Sequence, residues 1–139
     1  IDLYSHPLFL RMVNEHGFES CDKDTFPQFL QKPGLSMVVF IEDPNRMKET
    51  MDALVIAPEL AKSCGLIEHK AVVGPPNARR LAVTYGFKRW PALVFFRDGK
   101  YLGAVDGLRL WADLVREADE IMHSEPHYPP SVGIPVRSI

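Results

Sequence analysis

"KRWPALVFFRDGKYLG", residues 88–103, decides how this chain is read. An aromatic–proline pair, Trp90–Pro91, runs directly into the apolar run "ALVFF". "RDGK" follows, and Asp98–Gly99 is a two-residue turn signal between strands. The stretch therefore predicts two antiparallel strands joined by a tight hairpin.

Upstream, "SMVVFIED" (36–43) is the strongest strand, a continuous run of branched residues of the kind a strand buried on both faces requires. "EHKAVVG" (68–74) and "FES" (18–20) predict two more strands. Helices are expected over "HPLFLRMVNEHG", with Leu8, Met12 and Val13 inward, and through "TFPQFLQ", capped by Asp24 with Pro27 in its first turn. Another ends near Gly65, and "GPPN" (74–77) reads as a proline-led start of a short helix over 77–86. Downstream, "LRLWADLVREADEIM" (108–122) places Leu110, Trp111, Leu114, Ala118 and Ile121 on one apolar stripe.

Strands alternating with helices predict an α/β fold with a mixed, mainly parallel central sheet, a C-terminal antiparallel hairpin, and helices on both faces. Residues 1–123 are expected to form one domain. Residues 124–139, "SEPHYPPSVGIPVRSI", are proline-rich without periodicity and read as an extended or disordered tail. Its apolar Tyr128, Val132, Ile134 and Val136 are the residues a self-associating module would use.

The composition excludes several classes. A formal charge of −2 gives no field for nucleic acid, and no run approaches the ~18 apolar residues of a membrane span. "IDLYSHPLFL" shows no basic start before an apolar core, so no secretory signal is legible there, although a leader before Ile1 stays open. Cys21 and Cys64 have neither metal-binding nor redox spacing, a usage that fits a reducing compartment, and a cytoplasmic location is expected. His123 and His127 are separated by Pro126 and predict no metal site. Arg79, Arg80, Lys88 and Arg89 form a basic cluster, read as solvated surface.

Over about residues 16–122 the chain resembles the thioredoxin superfamily through "SMVVFIED", "IAPELAKSCG" and "YGFKRWPALVFFRDGKYLGAVDG". The resemblance implies a cis Trp90–Pro91 peptide and a thiol pair at the loop after the central strand. In a gapless match Asn45-Arg46-Met47-Lys48 stand in that place, and Val39 stands where such enzymes keep a buried carboxylate. By the same topology Cys21 and Cys64 fall too far apart for a disulfide, which needs α-carbons within about 7 Å.

"IEDPNRMKET", "VIAPELAK" and "FKRWPALVFFRDGKYLGAVDGLRLWADL" are more narrowly similar to the HyaE/HupG hydrogenase expression proteins, thioredoxin-like accessory proteins without the cysteine pair. That resemblance implies a non-catalytic chaperone in nickel–iron hydrogenase maturation. Its partner would be the small-subunit precursor, through its twin-arginine signal peptide, and no cofactor is implied. Such a peptide offers paired arginines beside an apolar stretch, so its receptor should offer carboxylates beside an apolar groove. Residues 42–59 carry five acids against two bases. Glu42, Asp43, Arg46, Glu49 and Asp52, facing Trp90 and Pro91, are the expected partner-binding residues. Two alternatives are a one-thiol redox protein using Cys21 or Cys64, and a homodimeric assembly module. Acidic neighbours Glu19, Asp22 and Asp24 should raise the pKa of Cys21 and argue against the first.

Overall fold

Every side chain of the strand Leu35–Phe40 (β2) is buried, and this strand forms the middle of the sheet in the computed structural model, which describes residues 2–130. The other strands are Glu19–Cys21 (β1), His69–Val73 (β3), Ala92–Arg97 (β4) and Lys100–Asp106 (β5), in the order β1-β3-β2-β4-β5. The helices are Pro7–Asn14 (α1), Phe26–Phe29 (α2), Glu49–Ser63 (α3), Ala78–Ala82 (α4) and Trp111–Met122 (α5). This is the predicted succession of elements. No helix of the described residues is long and apolar enough to cross a membrane.

Alternation along β2 divides the core in two. Met37, Val39 and Ile41 pack with Phe9, Met12, Leu54, Leu60, Leu114 and Met122 of α1, α3 and α5. Val38 and Phe40 point to the opposite face, against Phe26, Phe29, Ala78 and Ala82 of α2 and α4. That second face is strongly aromatic, with Tyr85 edge-on to Phe96 at 5.3 Å and stacked on Tyr101 at 5.8 Å.

The sheet is mixed as expected, but its parallel share is smaller than the sequence reading gave it. β2 pairs in parallel with β3 and β3 with β1, whereas β4 is antiparallel to both β2 and β5. After β3 the chain passes through the short α4 and the cis-proline loop without returning to the far edge of the sheet, and β4 starts at the edge where β3 ended, with Ala92 opposite Phe40.

Smaller differences are also local in cause. The Asp22 carboxylate, not that of Asp24, accepts from the amides of Asp24 and Thr25 at 2.8 and 2.9 Å and closes the turn before α2. The Pro75–Pro76 peptide is cis, as is the expected Trp90–Pro91. Leu110 and Trp111 are 77% and 47% exposed, although the stripe of α5 was expected to bury them. Leu110 precedes the helix and Trp111 opens it, so both stand beyond the turns that Leu114, Ala118 and Met122 press onto the sheet.

Ser124–Pro130 has neither helix nor strand but stays against the domain: the His127 amide donates to the Tyr101 carbonyl at 3.1 Å. Val132, Ile134 and Val136 lie outside the described residues.

The β4–β5 hairpin turns on Asp98 (φ 53) and Gly99 (φ 78), the two positive dihedrals of a type I′ turn. The Asp98 amide donates to the Gly34 carbonyl at 2.9 Å, and its carboxylate accepts from the Gly34 amide at 2.7 Å. A Cβ on Gly99 would lie 2.2 Å from the Leu30 carbonyl oxygen. Gly99→Ala is expected to lower stability by about 2 kcal/mol or more in urea titrations. Gly65→Ala, where an added Cβ meets nothing within 4 Å, should change it by less than about 0.5 kcal/mol.

Candidate functional site

The site lies where β2 gives way to α3. Asp43 turns the chain: its carbonyl accepts from the amides of Arg46 and Met47, both at 2.9 Å, and its carboxylate from the Asn45 amide at 3.0 Å. Asn45-Arg46-Met47-Lys48 thus form a compact turn into α3, fastened again by the Thr50 hydroxyl, which donates to the Glu42 carbonyl at 2.8 Å. Asn45, Arg46 and Lys48 are exposed.

Glu42 lies deeper than the sequence implied. It is 5% exposed, its carboxylate accepts from the Asp43 amide at 3.0 Å, and it also accepts from the Arg79 guanidinium, delivered by α4. The same guanidinium lies over the Trp90 ring, 5.0 Å from its centre, and Phe87 meets that ring edge-on at 5.1 Å. The arginine therefore joins the end of β2 to the residue before cis-Pro91. Val39 is wholly buried among apolar side chains of the α1/α3/α5 face. The buried carboxylate of this chain belongs to Glu42, three positions further on.

Between the turn and the cis-proline loop opens a groove of about 530 Å³, lined by Met47, Glu49, Arg79, Lys88, Arg89, Trp90, Gly107 and Leu108. Leu108 also lines a narrow cleft with Ile56, Pro91 and Leu114. A further hollow between α3 and α5 is lined by Leu60, Ala112 and Val115. Leu108, which lines the groove, and Leu110, Trp111 and Val115, at and beyond the start of α5, are all exposed.

Of the expected residues, the structure brings Glu49 and Trp90 into the groove and Pro91 into the adjoining cleft. Asp52 is exposed one turn along α3, Asp43 shapes the turn, Arg46 faces solvent, and Glu42 is committed to Arg79. Sequence reasoning missed Arg79 as the partner of Glu42, since nothing local links positions 37 residues apart. It saw Lys88 and Arg89 but assigned them to solvated surface.

Asp106 holds the Lys88–Arg89 segment, its Oδ2 accepting from both amides at 2.8 and 3.1 Å. Burial alone would raise its pKa, but these amides and the charges of Arg89 and Arg109 together hold it below the usual carboxylate value. Cys21 and Cys64 lie against opposite faces of the sheet, Cys21 in the α2/α4 core and Cys64 donating to the Met122 thioether at 3.6 Å. Burial first, and Glu19 and Asp22 second, push the Cys21 thiol up to about 11 against the opposing hydroxyl of Thr25. Acidic neighbours do contribute, but burial is the larger cause. Among the described residues no three His, Cys, Asp or Glu side chains are grouped to hold a metal.

This architecture is that of the thioredoxin-like proteins. The chain superposes on a chain of the ferredoxin:thioredoxin reductase–thioredoxin f2 complex with TM-score 0.62 at 16% identity, covering 76% of this chain and 94% of that one. For the J-Trx1 fragment of ERdj5 the TM-score is also 0.62, at 20% identity over 84% and 56% of the two chains. Within that class, residues 8–114 match the family described as hydrogenase-1 expression protein HyaE. The hydrogenase expression/formation protein HoxO of Cupriavidus necator is 33% identical over 95% of this chain and 83% of its own. HoxO of Azotobacter vinelandii is 30% identical over 93% and 86%, and HupG of Rhodobacter capsulatus 31% over 85% and 86%. The chain belongs to the HyaE family of hydrogenase expression/formation proteins, and its role lies in hydrogenase maturation.

Two measurements check the site. The folded-state pKa of Asp106 is depressed, so its contribution to stability is complete well above the ordinary value of 3.8 and is lost as the pH falls through the folded value. Asp106→Asn should therefore lower the urea midpoint at pH 6, with the gap from wild type closing toward pH 3; a gap constant with pH contradicts this. In a Cys64→Ser background, Cys21 should carry about a hundredfold less thiolate at neutral pH than an ordinary thiol and react with iodoacetamide correspondingly slowly. Labelling as fast as free cysteine refutes that environment.

Proposed function

We propose that this protein is a non-catalytic chaperone of nickel–iron hydrogenase maturation that holds the small-subunit precursor, by its twin-arginine signal peptide, before export. It works in the cytoplasm, where the precursor is made. The observation that carries this reading is the groove at the vacated thiol position, lined by Trp90 and Leu108, with Leu110 and Trp111 exposed two and three residues further along the chain.

The chemistry of such a peptide fits in two parts. Its apolar segment lies against Trp90, Leu108 and Trp111, aromatic and aliphatic surface of the kind that dominates binding energy. Its arginines go to the α3 side, where Glu49 and Asp52 are three residues apart on one helix face. Glu42 and Asp43 serve as framework, Glu42 placing Arg79 and Trp90 and Asp43 shaping the turn, while Pro91 sets the loop that faces the groove. A one-thiol redox role for Cys21 is disfavoured by its burial and raised pKa.

Isothermal titration with the synthetic small-subunit signal peptide should show saturable, salt-sensitive binding. Trp111→Ala is expected to weaken it about tenfold, and Glu49→Gln with Asp52→Asn about threefold. Failure of the peptide to bind, or full affinity in Trp111→Ala, overturns the assignment to this surface. Equal affinity for a peptide with both arginines replaced by glutamine removes the role of the two acids.

A further inference from the structure

The groove has walls of opposite sign. On the α3 side the lining charge is Glu49, with Asp52 one turn on. On the cis-proline side it is Arg79, Lys88 and Arg89. Arg79 is neutralised by Glu42. Lys88 and Arg89 are exposed, and among the described residues neither has a carboxylate within 4 Å. Their backbone is not free, because both amides donate to Asp106. The two cations are thus carried on a fixed segment beside Trp90 and Leu108; Asp106 feels the charge of Arg89 at longer range, and neither head group is held in an ion pair among the described residues.

We propose that this lip receives a carboxylate of the bound polypeptide, and that the groove selects extended segments with an acidic residue close to apolar ones. The inference rests on the reading that the groove binds polypeptide, and it adds the chemistry of a second anchor. Trp90 and Leu108 take the apolar side chain, Lys88 and Arg89 take the acid next to it, and cationic groups of the same segment fall on the Glu49 side. Reversing the bound chain would set like charges against each wall, so the split in sign fixes which way round the segment lies. The carboxylate is neither this chain's own Asp106, already bound to the backbone, nor Glu42, held by Arg79; it is supplied by the partner.

The test uses the whole chain and three peptides carrying a neutral dye, with the frame Leu-Leu-X-Ala-Leu between Ser-Gly flanks and X as Glu, Gln or Lys. Anisotropy should show the Glu peptide bound about fivefold tighter than the Gln peptide at low salt, with Lys weakest, and the advantage shrinking at high salt. Lys88→Glu with Arg89→Glu should invert the order. Lys88→Gln with Arg89→Gln, which leaves the Asp106 bonds to the backbone in place, should abolish it, and Arg80→Gln should leave it unchanged. Equal binding of the three peptides overturns the inference while leaving the signal-peptide role intact. Binding of neither these peptides nor the precursor's signal peptide overturns the reading of the groove itself. Displacement of all three alike by millimolar inorganic phosphate marks a small-anion site and overturns the inference as well.

Discussion

A carboxylate stands at the buried end of the central strand, and the architecture of the site follows from how it is satisfied. Left unpaired, a charge that deep costs several kcal/mol. Glu42 is met by its neighbour's amide and by Arg79, and Arg79 in turn lies across Trp90. Its carbonyl accepts the Thr50 hydroxyl that opens α3. One residue therefore joins β2, α3, α4 and the cis-proline loop, the four segments around the groove. The arginine side chain is 62% exposed, so solvent screens one side of the pair. Its value lies more in placement than in stability: with this contact the Trp90 ring has a defined position before any partner arrives, and preorganised surface binds at lower entropic cost.

A thioredoxin-like backbone does not by itself carry thioredoxin chemistry. That chemistry needs an accessible thiolate at the helix start, where the helix terminus lowers the thiol pKa. Here Asn45-Arg46-Met47-Lys48 occupy the position, and Asp43 spends its carboxylate on closing the turn. The two thiols of the chain sit on opposite faces of the sheet, one of them buried with its pKa pushed up to about 11. What persists from the scaffold is the open end of the sheet, where a turn, a helix start and a cis-proline loop face each other.

Much of this was legible from local pattern. The order of strands and helices follows from apolar periodicity, and the hairpin from Asp98–Gly99, because both are short-range properties of the backbone. The cis peptide at Trp90–Pro91 was expected only through the family likeness. Long-range pairing was harder to see. β4 runs antiparallel to β2 because the chain re-enters the sheet at the edge where β3 left it, and no local residue pattern states where it will re-enter. Glu42 reads as one more acid in an acidic segment until Arg79 folds against it. Leu110 and Trp111 satisfy the angular rule for a buried stripe and are exposed because the sheet beneath α5 ends before they do. Lys88 and Arg89, read as solvated surface, are exposed; what local pattern did not reveal is that they line a groove with Trp90 and Leu108.

The exposed apolar residues and the exposed cations beside the groove have a common physical meaning. Apolar side chains gain by being covered and solvated cations gain about 0–1 kcal/mol by meeting a carboxylate, amounts too small to decide whether the domain folds. The core on both faces of the sheet is built without them, so substitutions on this surface should cost little stability. The proposed role, holding a polypeptide and then handing it over, is served by such an arrangement: a lip of screened charges and exposed apolar side chains in place of a deep pocket. Complexes of that kind dissociate readily, because most affinity differences reside in the off-rate and shallow contacts keep it high. The contacts of Glu42, Asp43 and Asp106 hold the groove in shape, while the side chains of Lys88, Arg89, Leu108 and Trp111 stay exposed. Stability and recognition are thereby separated into different layers of the same small domain.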